Sequence, residues 1–435
     1  MNTAREIRVP GDKSISHRAL ILASLANGES RIRGILRSAD VESTALVLSS
    51  LGMMIPDLTD EIVVHGRGLE GWSASTSALM CGNSGTTARL IAGGVAARPF
   101  TSRLEGDSSL SRRPMRRIAE PLTAMGARIV FDHDDGLPMT IYGGGLSGIV
   151  WSTRAASAQT KSAILLAGLV GRIHVTVRDA AVSRDHTERM LGAMGCRVKT
   201  EGMTVSLAPA DALAPIDLDV PRDPSSAAYF AALGVLASFG EIRIPDVCLN
   251  PTRIGFLEAL RRMGGTVRYA DRGAAGGEQT GTVVASRSTL RSTRIVAAQV
   301  PSMIDELPLL GCVAAQAGVE LHVSGAAELR VKESDRIHAV VSNLRTLGAF
   351  AEELPDGFRV NGAKVRLRGR VITEGDHRIA MAFGVLAALP GNEIEIDDTE
   401  CVRISYPSFW TDLDSVVQGA RPNLGGSPTS PSIRT

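Results

Sequence analysis

A chain of 435 residues is longer than one hydrophobic core usually sustains, so two domains are expected, with the cleft between them as the natural place for a site. Apolar residues make up 44% and charged residues 21%, and the longest apolar stretches, such as residues 163–170, fall far short of the roughly 20 residues that span a bilayer, so no membrane partner is expected. Formal charges nearly cancel, 47 basic against 46 acidic, which removes whole-molecule attraction to nucleic acid and leaves any anion site to local clusters.

The first ten residues carry no apolar core of signal-peptide length, so a cytoplasmic location is expected. Cys81, Cys196, Cys248, Cys312 and Cys401 are scattered with no CxxC pair, which argues against a disulfide framework and a structural zinc site. Only five of the basic residues are lysines (Lys13, Lys161, Lys199, Lys332, Lys364), and three of these fall in the motifs below.

An apolar helix pattern rich in small residues occurs six times, at residues 18–28, 88–97, 161–171, 227–240, 306–318 and 378–391. A second helical pattern follows each and ends on a glycine: Gly52, Gly126, Gly195, Gly264, Gly348 and Gly419. The chain then turns strand-like after the first five, which reads as helix, left-handed C-cap glycine, strand. Six such units in two domains imply three per domain, since one unit cannot bury its apolar faces alone. No unit carries a G-x-G-x-x-G fingerprint, so a doubly wound dinucleotide fold is rejected. Residues 421–435, rich in Pro, Gly and Ser, read as a loose tail.

In chain order, residues 11–18 (GDKSISHR) open the first repeat with a glycine-led turn that aims Lys13, Ser14 and Arg18 at one spot beside a helix start, an anion site; a solvated charged turn is the alternative. The spacing is not that of a Walker A loop. Residues 81–89 (CGNSGTTAR) repeat the design with Asn83 and Gly85 before the second helix. Residues 106–115 (GDSSLSRRPM) place Arg113 in a polar loop, where a guanidinium fork suits a carboxylate or phosphate, or where it is simply solvated. Ser157, Ala158, Gln159 and Lys161 open the third repeat with small donors.

The second half changes sign. Asp305 and Glu306 bring carboxylates to the fifth helix, residues 332–336 (KESDR) mix Lys332, Glu333 and Arg336, and Asp376, His377 and Arg378 close the set. A surface salt-bridge network is the alternative for residues 332–336. Taken together, basic forks hold anions while carboxylates and a lysine move protons, which suits two anionic, phosphorylated substrates.

The pieces GDKSISHR, GNSGTTAR, LSRRPM, SAQTKSAILLAGL, SRDHTERM, NPTR, MIDELP, RVKESDR and GDHRIAMA occur in this order over residues 9–409, and with them the chain closely resembles the 5-enolpyruvylshikimate-3-phosphate synthase family. The resemblance implies a two-domain α/β enolpyruvyl transferase fold, an inside-out α/β barrel in which each domain has three βαβαββ repeats about a pseudo-threefold axis. Domain one would be residues 12–221, and domain two residues 1–11 with 222–435. The implied reaction transfers the enolpyruvyl group of phosphoenolpyruvate to the 5-hydroxyl of shikimate-3-phosphate, in the shikimate pathway to chorismate and the aromatic amino acids. Neither metal nor organic cofactor is implied, and the expected state is a monomer.

By the same resemblance Lys13, Ser14, Arg18, Ser157, Ala158, Gln159, Ser183, Arg184, Asp305 and Lys332 bind shikimate-3-phosphate. Lys13, Asn83, Gly85, Arg113, Gln159, Arg336, His377 and Arg378 hold phosphoenolpyruvate. Lys13, Asp305 and Glu333 are the catalytic set, with Asp305 as base and Glu333 as acid. Four pieces (GDK, SAQTK, RDHTE, NPTR) look like the family's second class, whose members are often poorly inhibited by glyphosate, yet Gly85 stands where an alanine would crowd that inhibitor, so the response stays open. Some members have an asparagine at Glu328 and a lysine near Ile404; here Arg403 is an offset substitute. The sister transferase acting on UDP-N-acetylglucosamine generally has a loop cysteine, which residues 106–115 lack. A non-catalytic anion-binding repeat protein is the rival from another class; it leaves Asp305 and Glu333 without a role.

Overall fold

The computed structural model describes residues 4–238, 240–361 and 366–418, and the tail expected at 421–435, Gly419 and Lys364 lie outside them. The helices come in pairs: α1 (Lys13–Leu25) and α2 (Ala39–Ser50), α3 (Gly85–Ala96) and α4 (Arg116–Met125), α5 (Ala158–Val170) and α6 (His186–Ala193), α7 (Pro224–Leu236) and α8 (Gly255–Arg262), α9 (Leu307–Ala317) and α10 (Arg336–Thr346), α11 (His377–Ala387) and α12 (Phe409–Gln418). Gly52, Gly126, Gly195, Gly264 and Gly348 all have φ between 85 and 119°, the left-handed turn read from the sequence.

In the first four repeats the leading helix starts three to five residues before the apolar pattern does. Capping explains the difference. Asp12, Ser84, Ser157 and Asp223 each accept a backbone N–H of the first turn, so polar residues that show no apolar period still sit in the helix. Lys13 and Gly85 are thereby first helical residues.

The chain divides into two compact units: Pro10–Pro221 with Ala274–Gln279, and the described residues of 1–9, 222–273 and 280–435. In the first unit, α3 and its partners form a complete βαβαββ repeat: Leu79–Met80 runs parallel to Thr101–Glu105, which pairs antiparallel with Met139–Tyr142, flanked by Arg128–Phe131. The α5 repeat copies this with Ile149–Ser152, Val175–Arg178, Thr204–Leu207 and Val198–Glu201. The α1 repeat is shorter: Pro56 falls in residues 53–60, which form no strand, because proline lacks a ladder donor. Its leading strand is Asp217–Asp219, which returns about two hundred residues later to pair in parallel with Asn27–Arg33.

The second unit repeats the exchange. Arg5–Glu6 from the N-terminus lies parallel to Ile242–Cys248 and so leads the α7 repeat. The α9 repeat is complete (Thr293–Ile295, Leu321–Val323, Gly357–Val360, Ala351–Leu354), whereas the α11 repeat shows one parallel pair, Arg368–Val371 with Glu393–Ile396, among the described residues.

Within each unit the leading helices pack on one another, α1 and α5 on α3, and α7, α9 and α11 mutually. Past their first turns they are buried on every side, with a few polar side chains such as His17, Arg18, Arg89 and Lys161 enclosed among the apolar ones; in α7 every residue from Pro224 to Val235 is buried. The approach of α3 to α5 is close enough that a Cβ on Gly93 would meet the Ala163 carbonyl oxygen at 2.2 Å. No helix among the described residues is long and apolar enough to cross a membrane.

Candidate active site

In the first unit most of the predicted residues stand at or beside three capped helix starts, with Arg113 in a neighbouring loop and Ser183 and Arg184 before α6. Lys13 Nζ pairs with Asp40 Oδ2 of α2 at 2.9 Å. One turn on, Arg18 is 4% exposed; its Nε donates to Thr187 Oγ1 (2.7 Å), while Nη1 and Nη2 donate to the Ser14 carbonyl and Ser162 Oγ (2.8 Å each). A guanidinium satisfied on all three nitrogens is a fixed fork.

At the second start, Arg113 Nη2 donates to Asn83 Oδ1 at 2.5 Å, and Asn83 Nδ2 to Asp107 Oδ2 at 2.6 Å, so the loop 106–115 is tied to the 81–85 turn and is not a merely solvated one. Arg89 Nη1 donates to Gln159 Oε1 at 2.8 Å, and Gln159 Nε2 to Thr86 Oγ1 at 3.1 Å, joining the second start to the third. Gly85 lies under these guanidiniums: a Cβ there would be 2.7 Å from Arg89 Nη1 and 3.6 Å from Arg113 Nη1. Ser157 Oγ is the N-cap of α5, accepting from Thr160 N, and Ala158 is the first helical residue.

Ser183 Oγ donates to Asp179 Oδ2 at 2.5 Å, and Asp179 pairs with buried Lys161 at 3.2 Å. Lys161 also pairs with Glu188 at 2.8 Å; burial drives the Glu188 carboxyl above its ordinary range against the pull of that lysine. Arg184 is half-buried.

The second unit gathers the remainder around Arg336, which is 1% exposed, so residues 332–336 are more than a surface network; Asp335 does join one, pairing with Arg330 at 2.7 Å. Its Nε lies 2.8 Å from Asp376 Oδ2, Nη1 3.2 Å from Asp305 Oδ1 and Nη2 2.7 Å from Glu333 Oε2. Burial works against its charge, but Asp376, Glu333 and Asp305 outweigh it and hold Arg336 protonated. Lys332 Nζ is 3.6 Å from Asp305 Oδ1. Arg378, also buried, faces Glu306 Oε1 at 3.9 Å and Tyr229 Oη at 3.5 Å, and His377 beside it is 1% exposed.

Three residues hold this arrangement without having been assigned a role from sequence. Asp376 caps α11 and grips Arg336, and an aspartate just before a helix was its signal. Asp40, 27 positions from Lys13, carries no sequence signal, and Arg89 was legible only as part of its motif. Arg403 pairs with Glu400 at 3.4 Å, and its side chain is 72% exposed.

Residues 2–413 match the family described as EPSP synthase (3-phosphoshikimate 1-carboxyvinyltransferase). The chain belongs to the EPSP synthase family. It is 46% identical to the 3-phosphoshikimate 1-carboxyvinyltransferase of Sulfurihydrogenibium sp. (strain YO3AOP1) over 94% of this chain and 96% of that one, and 44% identical to that of Aquifex aeolicus (strain VF5) over 95% and 97%. A solved EPSP synthase from Acinetobacter baumannii superposes with a TM-score of 0.82 at 38% identity, covering 95% of this chain and 96% of the other. The α/β repeat fold expected from sequence is therefore that of the EPSP synthases.

Proposed function

We propose that this member of the EPSP synthase family transfers the carboxyvinyl group of phosphoenolpyruvate to the 5-hydroxyl of shikimate-3-phosphate, releasing phosphate. The observation that carries the mechanism is the single buried Arg336 fork that contacts both Asp305 and Glu333. In this reading Lys13, Asn83, Gly85, Arg113, Gln159, Arg336, His377 and Arg378 hold phosphoenolpyruvate. Shikimate-3-phosphate takes Lys13, Ser14, Arg18, Ser157, Ala158, Gln159, Ser183, Arg184, Asp305 and Lys332. Two anionic ligands match the many guanidinium and hydroxyl donors at the capped helix starts.

Asp305 takes the proton of the 5-hydroxyl as its oxygen bonds to C2 of phosphoenolpyruvate, and Glu333 gives a proton to C3. Glu333, now a carboxylate, takes a proton back from C3 as the C2–O bond to phosphate breaks and the double bond re-forms, and the proton held by Asp305 leaves with the phosphate. A hydroxyl is a far weaker acid than a carboxylic acid, so its proton passes to a carboxylate uphill in water, and alignment and water exclusion supply much of the barrier reduction.

Arg336 also times Glu333. While Glu333 pairs with that guanidinium its carboxylate is stabilised and unfit as an acid. The phosphoenolpyruvate anion entering the fork competes with Glu333 for the guanidinium, and a carboxylate displaced beside that anion is favoured in the protonated form it needs in order to donate to C3. Domains of residues 12–221, and 1–11 with 222–435, a monomeric state and a cytoplasmic setting complete the reading.

Phosphate release with phosphoenolpyruvate and shikimate-3-phosphate tests it. Release with UDP-N-acetylglucosamine alone would assign the sister activity, and no release with either would leave an anion-binding protein.

A further inference from the structure

His17 stands one helical turn after Lys13, and both face α2. Lys13 pairs with Asp40 at 2.9 Å, and His17 Nδ1 meets Thr44 Oγ1 at 2.6 Å, so positions 13 and 17 of one helix meet positions 40 and 44 of the other as two rungs. The second rung continues: Thr44 Oγ1 lies 2.7 Å from Thr87 Oγ1, and Thr87 Oγ1 donates to Ser84 Oγ at 2.8 Å. Ser84 is the N-cap of α3, adjoining Gly85, and all four residues are fully buried.

The direction of this chain follows from counting protons, because each hydroxyl has one. Thr87 spends its proton on Ser84, so it accepts from Thr44. Thr44 has then spent its own and accepts from His17, which must carry hydrogen on Nδ1. The other nitrogen, Nε2, is buried with no hydrogen-bond partner among the described residues. A proton there would be an unsatisfied buried donor, and as a second proton it would also add charge beside Lys13 and Arg18.

We infer that His17, fixed as the neutral Nδ1–H tautomer, is a positioning residue: through Thr44 and Thr87 it sets the 83–85 turn relative to the helix that carries Lys13. It touches no substrate. It makes two phosphoenolpyruvate contacts, Lys13 and the start of α3, one rigid arrangement across three helices. The inference rests on the assignment of those contacts to phosphoenolpyruvate.

The test compares the wild type with Thr44→Val, which keeps shape but breaks the chain, Thr44→Ser, which restores the hydroxyl, and Lys13→Ala as control for the assignment. All are assayed at a temperature where circular dichroism shows them folded. For Thr44→Val the KM for phosphoenolpyruvate should rise about tenfold while that for shikimate-3-phosphate stays within about twofold, and Thr44→Ser should reverse most of the rise. Ring nitrogen NMR of wild-type His17 should show a protonated Nδ1 and a bare Nε2 from pH 6 to 8. A rise in Lys13→Ala without one in Thr44→Val overturns the positioning role alone. No rise in either sinks the phosphoenolpyruvate assignment and the inference with it. A proton on Nε2, or equal losses for both substrates, also overturns the inference.

Discussion

Arg336 is the residue on which the proposed chemistry turns, because one guanidinium holds an acid, a base and the N-cap of α11 at once. A lysine has a single nitrogen and cannot span three carboxylates. Arg336→Lys should therefore lower kcat/KM by about a hundredfold or more in the phosphate-release assay, with the fold retained. The displacement of Glu333 makes a separate prediction. Binding of phosphoenolpyruvate near pH 7 should take up a proton, read by calorimetry in buffers of different ionisation enthalpy. Glu333→Gln should abolish that uptake and reduce kcat by about a hundredfold to ten-thousandfold, and uptake that survives the substitution would remove Glu333 as the acid.

At the scale of elements, the glycines separate into two kinds. Gly195 has φ 91° and open space where a Cβ would stand, so Gly195→Ala pays only for left-handed backbone: about 1 kcal/mol in denaturant unfolding, with activity unchanged. Gly93 is the other kind. Its Cβ would be 2.2 Å from the Ala163 carbonyl oxygen, so Gly93→Ala must move α3 from α5. Arg89 and Gln159, which are bonded across those helices, should then part, and KM should rise along with the loss of stability. The αL glycines were legible as punctuation in the sequence, whereas the helix contact was not, because Gly93 reads as any small residue in an apolar pattern.

Over the whole molecule, burying polar groups inside layers of helices makes stability depend on pH. His17 is fully buried and its pKa is lowered well below 6.5 by burial, then by Lys13 and Arg18. Unfolded, the ring takes a proton near pH 6.5; folded, it resists. The unfolded chain therefore binds more protons below about pH 6.5, so this stabilisation is full above that pH and falls as pH drops towards the folded pKa, by about 1.4 kcal/mol per unit. Urea midpoints of wild type and His17→Asn should converge between pH 7 and 5, and parallel curves would show that His17 does not titrate on unfolding.

Sequence alone determined what is encoded within a few residues: the sixfold alternation, the motifs that set Lys13, Gly85 and Gln159 beside helix starts, and the left-handed glycines, since backbone handedness is local. Family membership was legible there too, in motifs that fall at helix starts and the loops beside them. Tertiary structure decided everything that links distant positions. Asp40 reaches Lys13 over 27 residues, Asp376 reaches Arg336 over 40, and Arg18 reaches Thr187 over 169. It also decided that Arg5–Glu6 and Asp217–Asp219 lead repeats far from them in the chain. Such pairings depend on which helix faces meet after burial, and a charged side chain gives no local sign of the partner it will neutralise.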